Sequence, residues 1–138
     1  MNIKRVGNVM LAVRNMEKSL EFYHGLIGLP IKEQRENWID LGTGENSLIS
    51  LHPASKTELH KGSSLENGIT LGFLVGDVQS AVDELKSKGV QVYREIIEKD
   101  SGKNVIMLDP DEYFVSLFEP IPKDKDTQTG GYHGFTPQ

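Results

Sequence analysis

The segment LAVRNMEKSL, residues 11–20, has the same pattern of apolar and polar residues as FLVGDVQSAV, residues 73–82. Each segment begins with three apolar residues that suit the end of a β-strand. A residue that can cap a helix follows two positions later, Asn15 in the first segment and Asp77 in the second. Each segment then continues into an amphipathic helical pattern. The sequence therefore predicts an internal repeat of strand, cap and helix.

The elements around the two segments recur in the same order, a strand, a helix and three further strands. The first half has a helix after Asn15 that ends at Gly28, and predicted strands at residues 6–13, 30–34, 38–41 and 47–52. The second half has a helix after Asp77 that ends at Gly89, and predicted strands at residues 69–75, 90–93, 104–108 and 113–118. This recurrence predicts the α+β class, with two tandem β-α-β-β-β modules that form a curved mixed sheet around a cup.

We expect one domain over residues 1–138. It consists of module one at residues 6–53, a linker at 54–67, module two at 68–120 and a polar tail at 121–138. The two modules can pair within one chain or exchange between two chains. Because exposed sheet edges tend to pair, we also expect a homodimer.

Composition limits the classes of partner. Hydrophobic residues make up 37% and charged residues 25% of the chain, which is the balance of an ordinary soluble globular protein. No apolar run approaches the roughly 18 residues that a membrane-spanning helix needs. The absence of cysteine excludes disulfides and thiolate chemistry, and the net charge of -5 argues against nucleic acid as a partner. We therefore expect a cytoplasmic protein that binds a small molecule, with no nucleic-acid or membrane partner.

Alternation along the predicted strands separates an apolar face from a mixed face. The apolar face, expected beneath the helices, contains Val9, Leu11, Val13, Ile39, Leu41, Ile49, Leu51, Leu71, Phe73, Val75, Ile106, Leu108, Val115 and Leu117. The mixed face combines amide, hydroxyl, carboxylate, imidazole and apolar side chains, which suits the wall of a cup for an organic ligand. The candidate ligand-binding residues on the mixed face are Asn8, Met10, Trp38, Asp40, Ser50, His52, Thr70, Met107, Ser116 and Phe118.

Several candidates have more specific expectations. Trp38 can stack on a planar ligand or simply fill the cup, and the neighbouring Asp40 can select a cationic group. His52 is expected to orient a ligand or bond to the backbone. Glu119 alternates with Leu117, so it should leave the mixed face and lie at the rim or surface.

Three phrases carry a resemblance to a known superfamily. NVMLAVRNMEKSLEFYHGLIGLPI, FLVGDVQSAVDELKSKGVQV and DPDEYFVSLFEP resemble the vicinal oxygen chelate superfamily, which includes glyoxalases, extradiol dioxygenases, fosfomycin-resistance enzymes and bleomycin-resistance proteins. The resemblance extends over roughly residues 6–120. It implies the paired-module fold and is much less specific for any one activity.

The resemblance also implies where a metal would be bound. The metal enzymes of the superfamily carry ligands at four places that match Asn8, Ser50, Thr70 and Ser116 of this chain. A divalent metal needs converging imidazole or carboxylate groups, and none of these four residues supplies one. His52 is the only plausible substitute nearby. We therefore expect no metal and no other cofactor.

Three functions are compatible with these observations. The first is a metal-free protein similar to the bleomycin-resistance members, which binds a small, aromatic or heteroaromatic molecule in the cup between the modules. The second is a metal-dependent lyase or dioxygenase of the glyoxalase or extradiol type. The third is a non-catalytic structural or regulatory protein whose cup is filled by its own side chains. If catalysis occurs, His52 and Asp40 are the acid–base candidates.

Overall fold

A computed structural model describes residues 1–44, 47–55 and 68–121. These residues belong to two compact units, the first within residues 1–60 and the second within residues 61–138. Most of the predicted linker at 54–67, and all of the predicted tail except residue 121, lie outside the described residues. Within the described part of the chain, no helix has both the length and the apolar character needed to cross a lipid bilayer.

The first unit is a four-stranded sheet with one helix. Its elements are β1 (Val9–Val13), α1 (Met16–Leu20) with a π-helical continuation (Glu21–Leu26), β2 (Ile31–Arg35), β3 (Trp38–Gly42) and β4 (Leu48–Pro53). The strand order is β1-β4-β3-β2. Strand β1 runs parallel to β4, and the other neighbouring strands are antiparallel. This is the predicted β-α-β-β-β module.

The second unit repeats the arrangement of the first. Its elements are β5 (Leu71–Leu74), α2 (Val78–Ser87), β6 (Val92–Lys99), β7 (Gly102–Leu108) and β8 (Phe114–Pro120). The strand order is β5-β8-β7-β6, again with one parallel and two antiparallel pairs. The predicted α+β class and the tandem modules are therefore confirmed. Strand β6 continues to Lys99, well beyond the predicted end at residue 93.

The hydrogen-bond register repeats as well as the element order. Met10 pairs with Ser50 in the first sheet, as Gly72 pairs with Ser116 in the second. The neighbouring pairs Leu11–Leu51 and Phe73–Leu117 match in the same way. Ser50 and Ser116 therefore occupy equivalent positions in the two modules.

Both helices begin and end where the sequence predicts. The side chain of Asn15 accepts a hydrogen bond from the backbone nitrogen of Lys18, at 3.0 Å. Asp77 accepts one from the backbone nitrogen of Ser80, at 3.1 Å. These contacts satisfy backbone donors that have no partner within the helix. The chain leaves the two helices at Gly28 and Gly89, each with a positive φ.

The first helix departs from the predicted α-helical stripe. Its π-helical turn is closed by the backbone nitrogen of Ile27, which donates to the carbonyl oxygen of Phe22 at 2.9 Å. The wider turn changes the rotation per residue, so the consecutive residues Phe22 and Tyr23 are both buried. Their rings meet edge to face, with centroids 4.8 Å apart. The amphipathic pattern of the sequence, in which Met16, Leu20, Tyr23 and Ile27 recur at four- and three-residue steps, predicted Tyr23 and not Phe22 on the buried side.

The predicted faces of the first sheet are correct. Directly paired residues of neighbouring strands share a face. The strand pairing places six buried residues together on the apolar face: Leu11, Val13, Ile39, Leu41, Ile49 and Leu51. The mixed face of this sheet carries Met10, Trp38, Asp40, Ser50 and His52, as predicted.

The predicted assignment of the β7 residues to the two faces of the sheet, which we call the phase of the strand, is wrong. Met107 pairs with Val115, so its buried side chain lies on the apolar face and not among the ligand-binding candidates. Ile106 pairs with Ser116 and lies on the mixed face instead. The reason is that residues 105–108 are all apolar, so no alternation of polar and apolar residues indicated which of them face the core. Asn104, which is buried on the mixed face, marks the correct phase.

Glu119 is buried, which corrects the prediction of a rim or surface carboxylate. Its Oε1 accepts a hydrogen bond from the backbone nitrogen of Val78, the first residue of α2, at 2.8 Å. A carboxylate at this point satisfies a backbone donor, and its negative charge is stabilised by the positive end of the helix dipole. Because Glu119 alternates with Leu117, the contact also places the start of α2 over the apolar face.

Candidate functional site

A chain of hydrogen bonds crosses the mixed face of the first sheet. The hydroxyl of the fully buried Ser50 accepts from Nδ2 of Asn8 at 2.9 Å and donates to Oδ1 of Asp40 at 2.6 Å. The same Oδ1 accepts from Nε1 of Trp38 at 2.7 Å. We call these four residues the Asp40 network.

Strand register explains why these residues meet. Asp40 of β3 lies directly opposite Ser50 of β4. Trp38 and His52, each two residues further along these strands, are close enough for their rings to stack. A two-residue step along each strand keeps these side chains on one face. Asn8, immediately before β1, reaches Ser50 from the neighbouring strand of the sheet.

The aromatic side chains of this face form a stacked pair. The rings of Trp38 and His52 are nearly parallel, with an interplanar angle of 14° and centroids 5.9 Å apart. Both residues are half-buried. The indole is therefore held at two points, through Nε1 by Asp40 and across its face by His52. Met10, which is 58% exposed, adds an accessible thioether to the same face.

The polar groups of the Asp40 network do not fit a divalent metal site. Asn8 and Ser50, two of the positions that the sequence resemblance matched to metal ligands, bind each other through an amide N–H and a hydroxyl. Asp40 supplies the one carboxylate of the network, and its Oδ1 already accepts two hydrogen bonds. Among residues 1–44, 47–55 and 68–121, no three histidine or acidic side chains converge as a metal site requires.

A second hydrogen-bonded cluster lies on the mixed face of the second sheet. Nδ2 of Asn104 donates to the hydroxyl of Ser116 at 2.7 Å and to the carbonyl oxygen of Leu117 at 2.8 Å. Oδ1 of Asn104 accepts from Nη2 of Arg94. Ser116 lies on the mixed face as predicted, but its side chain is buried and its hydroxyl contacts Asn104.

The structure places the remaining candidates as follows. Phe118 is on the mixed face, paired with Asn104, and is fully buried. Thr70 is half-buried and immediately precedes β5. Sequence reasoning missed Asn104 and Arg94. The repeat contained a signal for Asn104, because aligning WIDLG (38–42) with NVIML (104–108) puts Asn104 at the position of Trp38.

Comparison with known proteins agrees with this architecture. The family model described as the Glyoxalase/Bleomycin resistance protein/Dioxygenase superfamily matches residues 5–117. The chain belongs to this superfamily. The resemblance inferred from the sequence is thereby confirmed.

The relatives differ in their described roles. The chain is 30% identical over 130 residues to the probable lactoylglutathione lyase of Synechocystis sp., covering 84% of this chain and 95% of that protein. It is 26% identical over 144 residues to the lactoylglutathione lyase of Schizosaccharomyces pombe, with 85% of this chain covered. It spans only about half, 48%, of that longer protein. Among solved structures, TnmS3, an antibiotic binding protein from Streptomyces sp., has a similar fold, with a TM-score of 0.70 and 21% identity over 87% of this chain and 98% of that one.

Proposed function

We propose that the protein is a metal-free binder of a small organic molecule with a planar aromatic group. The observation that carries this proposal is the Asp40 network, which fixes the indole of Trp38 at the mixed face of the first sheet. The same network joins Asn8 to Ser50, at positions where metal enzymes of the superfamily would have ligands. The name of TnmS3, an antibiotic binding protein of similar fold, supports the binding role.

The geometry favours a planar ligand. An aromatic side chain that is already held in place loses little conformational entropy when it stacks on a second ring. Trp38 is held by a hydrogen bond and by a stacked imidazole, yet it remains half-exposed. Asp40 places a carboxylate beside the indole, which favours a ligand edge that carries N–H donors or a positive charge.

Replacing Trp38 with alanine is expected to weaken the binding of planar aromatic compounds by about three- to tenfold, because a stacking partner is lost. Trp38 is the only tryptophan, so its fluorescence in the wild-type protein reports binding directly. Calorimetric titration then compares the variants. Gln34→Ala is the control. Gln34 is exposed, and because it pairs with Ile39 of the apolar face it lies on the opposite face of the sheet from Trp38. A broad panel of aromatic compounds that leaves Trp38 fluorescence unchanged would contradict the proposal.

A metal-dependent lyase is the second candidate, because the two curated relatives described above are named for lactoylglutathione lyase activity. We expect Zn²⁺, Ni²⁺ and Mn²⁺ to leave the melting temperature of the protein equal to its value in a chelator, since a metal that binds only the folded state would raise it.

Native mass spectrometry measures bound metal, bound small molecules and the subunit count of the expected homodimer together. The lyase would replace our proposal if a metal raised the melting temperature and supported turnover of lactoylglutathione, with both effects lost in His52→Ala.

A further inference from the structure

A bulge in β6 brings two adjacent side chains to the mixed face of the second sheet. Val92 pairs with Met107 and Arg94 pairs with Ile106, so three residues of β6 lie opposite two of β7. Arg94 therefore shares the face of Ile106. The ring of Tyr93 also contacts this face, with its centroid 4.4 Å from that of Phe114. In a regular strand, neighbouring side chains point to opposite faces, and bulges commonly re-aim side chains at binding sites.

The guanidinium of Arg94 is held in place by a fully buried amide. Asn104 has no exposed surface, and its Nδ2 donates to Ser116 and to the Leu117 carbonyl. Those two bonds fix the amide with Oδ1 toward Arg94, whose Nη2 donates to it. Nη1 of Arg94 donates to the carbonyl oxygen of Glu95 at 3.2 Å. The cation is thus positioned before any ligand arrives, which lowers the entropic cost of binding.

The ring of Tyr93 packs against a buried ring and is also exposed to solvent. Phe114, which it contacts at an interplanar angle of 41°, is almost completely buried. Tyr93 itself is 50% exposed, the largest exposure of any phenylalanine, tyrosine or tryptophan in the described part of the chain. An exposed ring supported by a buried ring is a ready surface for stacking.

We propose that Tyr93 and Arg94 bind a planar compound that carries an anionic group, a carboxylate, sulfonate or phosphate. Asn104 and Phe114 act as positioning residues. A guanidinium presents its N–H donors in a planar fork that matches the oxygens of such anions, and charge-assisted bonds of this kind are stronger than neutral ones. The inference goes beyond the proposed function, because it adds a second binding surface on the mixed face of the second sheet and names the chemical class of the compound that this surface takes.

Two fluorescent probes separate the anion from the ring. Anilinonaphthalene sulfonate carries the sulfonate, and N-phenylnaphthylamine is the same ring system without it. We expect Arg94→Gln to weaken sulfonate binding about tenfold and to leave the uncharged probe within about twofold. Tyr93→Ala should weaken both probes. Rising salt should reduce the affinity of the wild type for the sulfonate only.

Matched variants keep the result interpretable. Arg5→Gln makes the same change of charge at an exposed residue outside the sheet, and it should alter neither probe. Arg94→Lys keeps the charge and should retain more sulfonate binding than Arg94→Gln, whereas a folding defect would weaken both probes in both variants. Equal sulfonate affinity in the wild type and Arg94→Gln would overturn this inference and leave the proposed function intact. A wild-type protein that binds neither probe would count against both.

Discussion

Replacing Phe118 with alanine is expected to lower the free energy of unfolding by about 3–5 kcal/mol. The side chain is fully buried on β8, where it pairs with Asn104 of β7 and Leu74 of β5. Removing the ring leaves a cavity that the surrounding strands can close only in part. Urea denaturation followed by circular dichroism measures the change in the free energy of unfolding.

The control for this prediction lies on the adjacent strand. Leu74 pairs directly with Phe118 and shares its face, but it is 45% exposed. Leu74→Ala should therefore cost about 1 kcal/mol or less. Similar losses in the two variants would mean that Phe118 is not a packed core residue, and would return it to the ligand-facing role that the sequence predicted.

The fold could be predicted because the repeat supplied several independent signals for each element. The caps Asn15 and Asp77, and the stops Gly28 and Gly89, lie at matching points of the two halves. A cap and a stop each have a local physical cause, so they can be recognised without knowledge of the tertiary structure.

The faces could be predicted only where polarity alternates. In β3, the sequence Trp-Ile-Asp-Leu at residues 38–41 alternates, and its phase was correct. In β7, four apolar residues in succession hid the phase, and Met107 was assigned to the wrong face. The repeat could have resolved this, because it equates Asn104 with Trp38.

Other features of the candidate site have no local signal. The bulge that turns Tyr93 and Arg94 to one face depends on the pairing of β6 with β7, which are neighbours only in the folded sheet. The burial of Glu119 depends on its contact with Val78, which is 41 residues away in the chain. Alternation gave the correct face for Glu119, but it could not show that a helix begins above it.

Adding a methyl group at Gly102 is expected to destabilise the protein by roughly 2–5 kcal/mol. Gly102 begins β7 with φ of 152°, a backbone conformation that residues other than glycine rarely adopt. A Cβ at this position would collide with the backbone carbonyl oxygen of Glu119 and lie 2.9 Å from Cε1 of Phe118. The carbonyl belongs to the paired strand β8 and cannot move without disturbing the sheet. Backbone strain and overpacking therefore both contribute to the loss.

Gly76→Ala provides the matched control for Gly102→Ala. A Cβ at Gly76 would meet no atom within 4 Å, and its φ lies outside the positive range. Alanine there restricts the unfolded chain without straining the folded one, so stability should stay equal or rise by about 0.4–1 kcal/mol. Thermal unfolding of both variants tests the difference. If Gly102→Ala unfolds at the same temperature as Gly76→Ala, then β7 and β8 are not as closely paired at residues 102 and 119 as the structure places them. The position of Asn104, two residues along β7, would then need revision together with the support that it gives to Arg94.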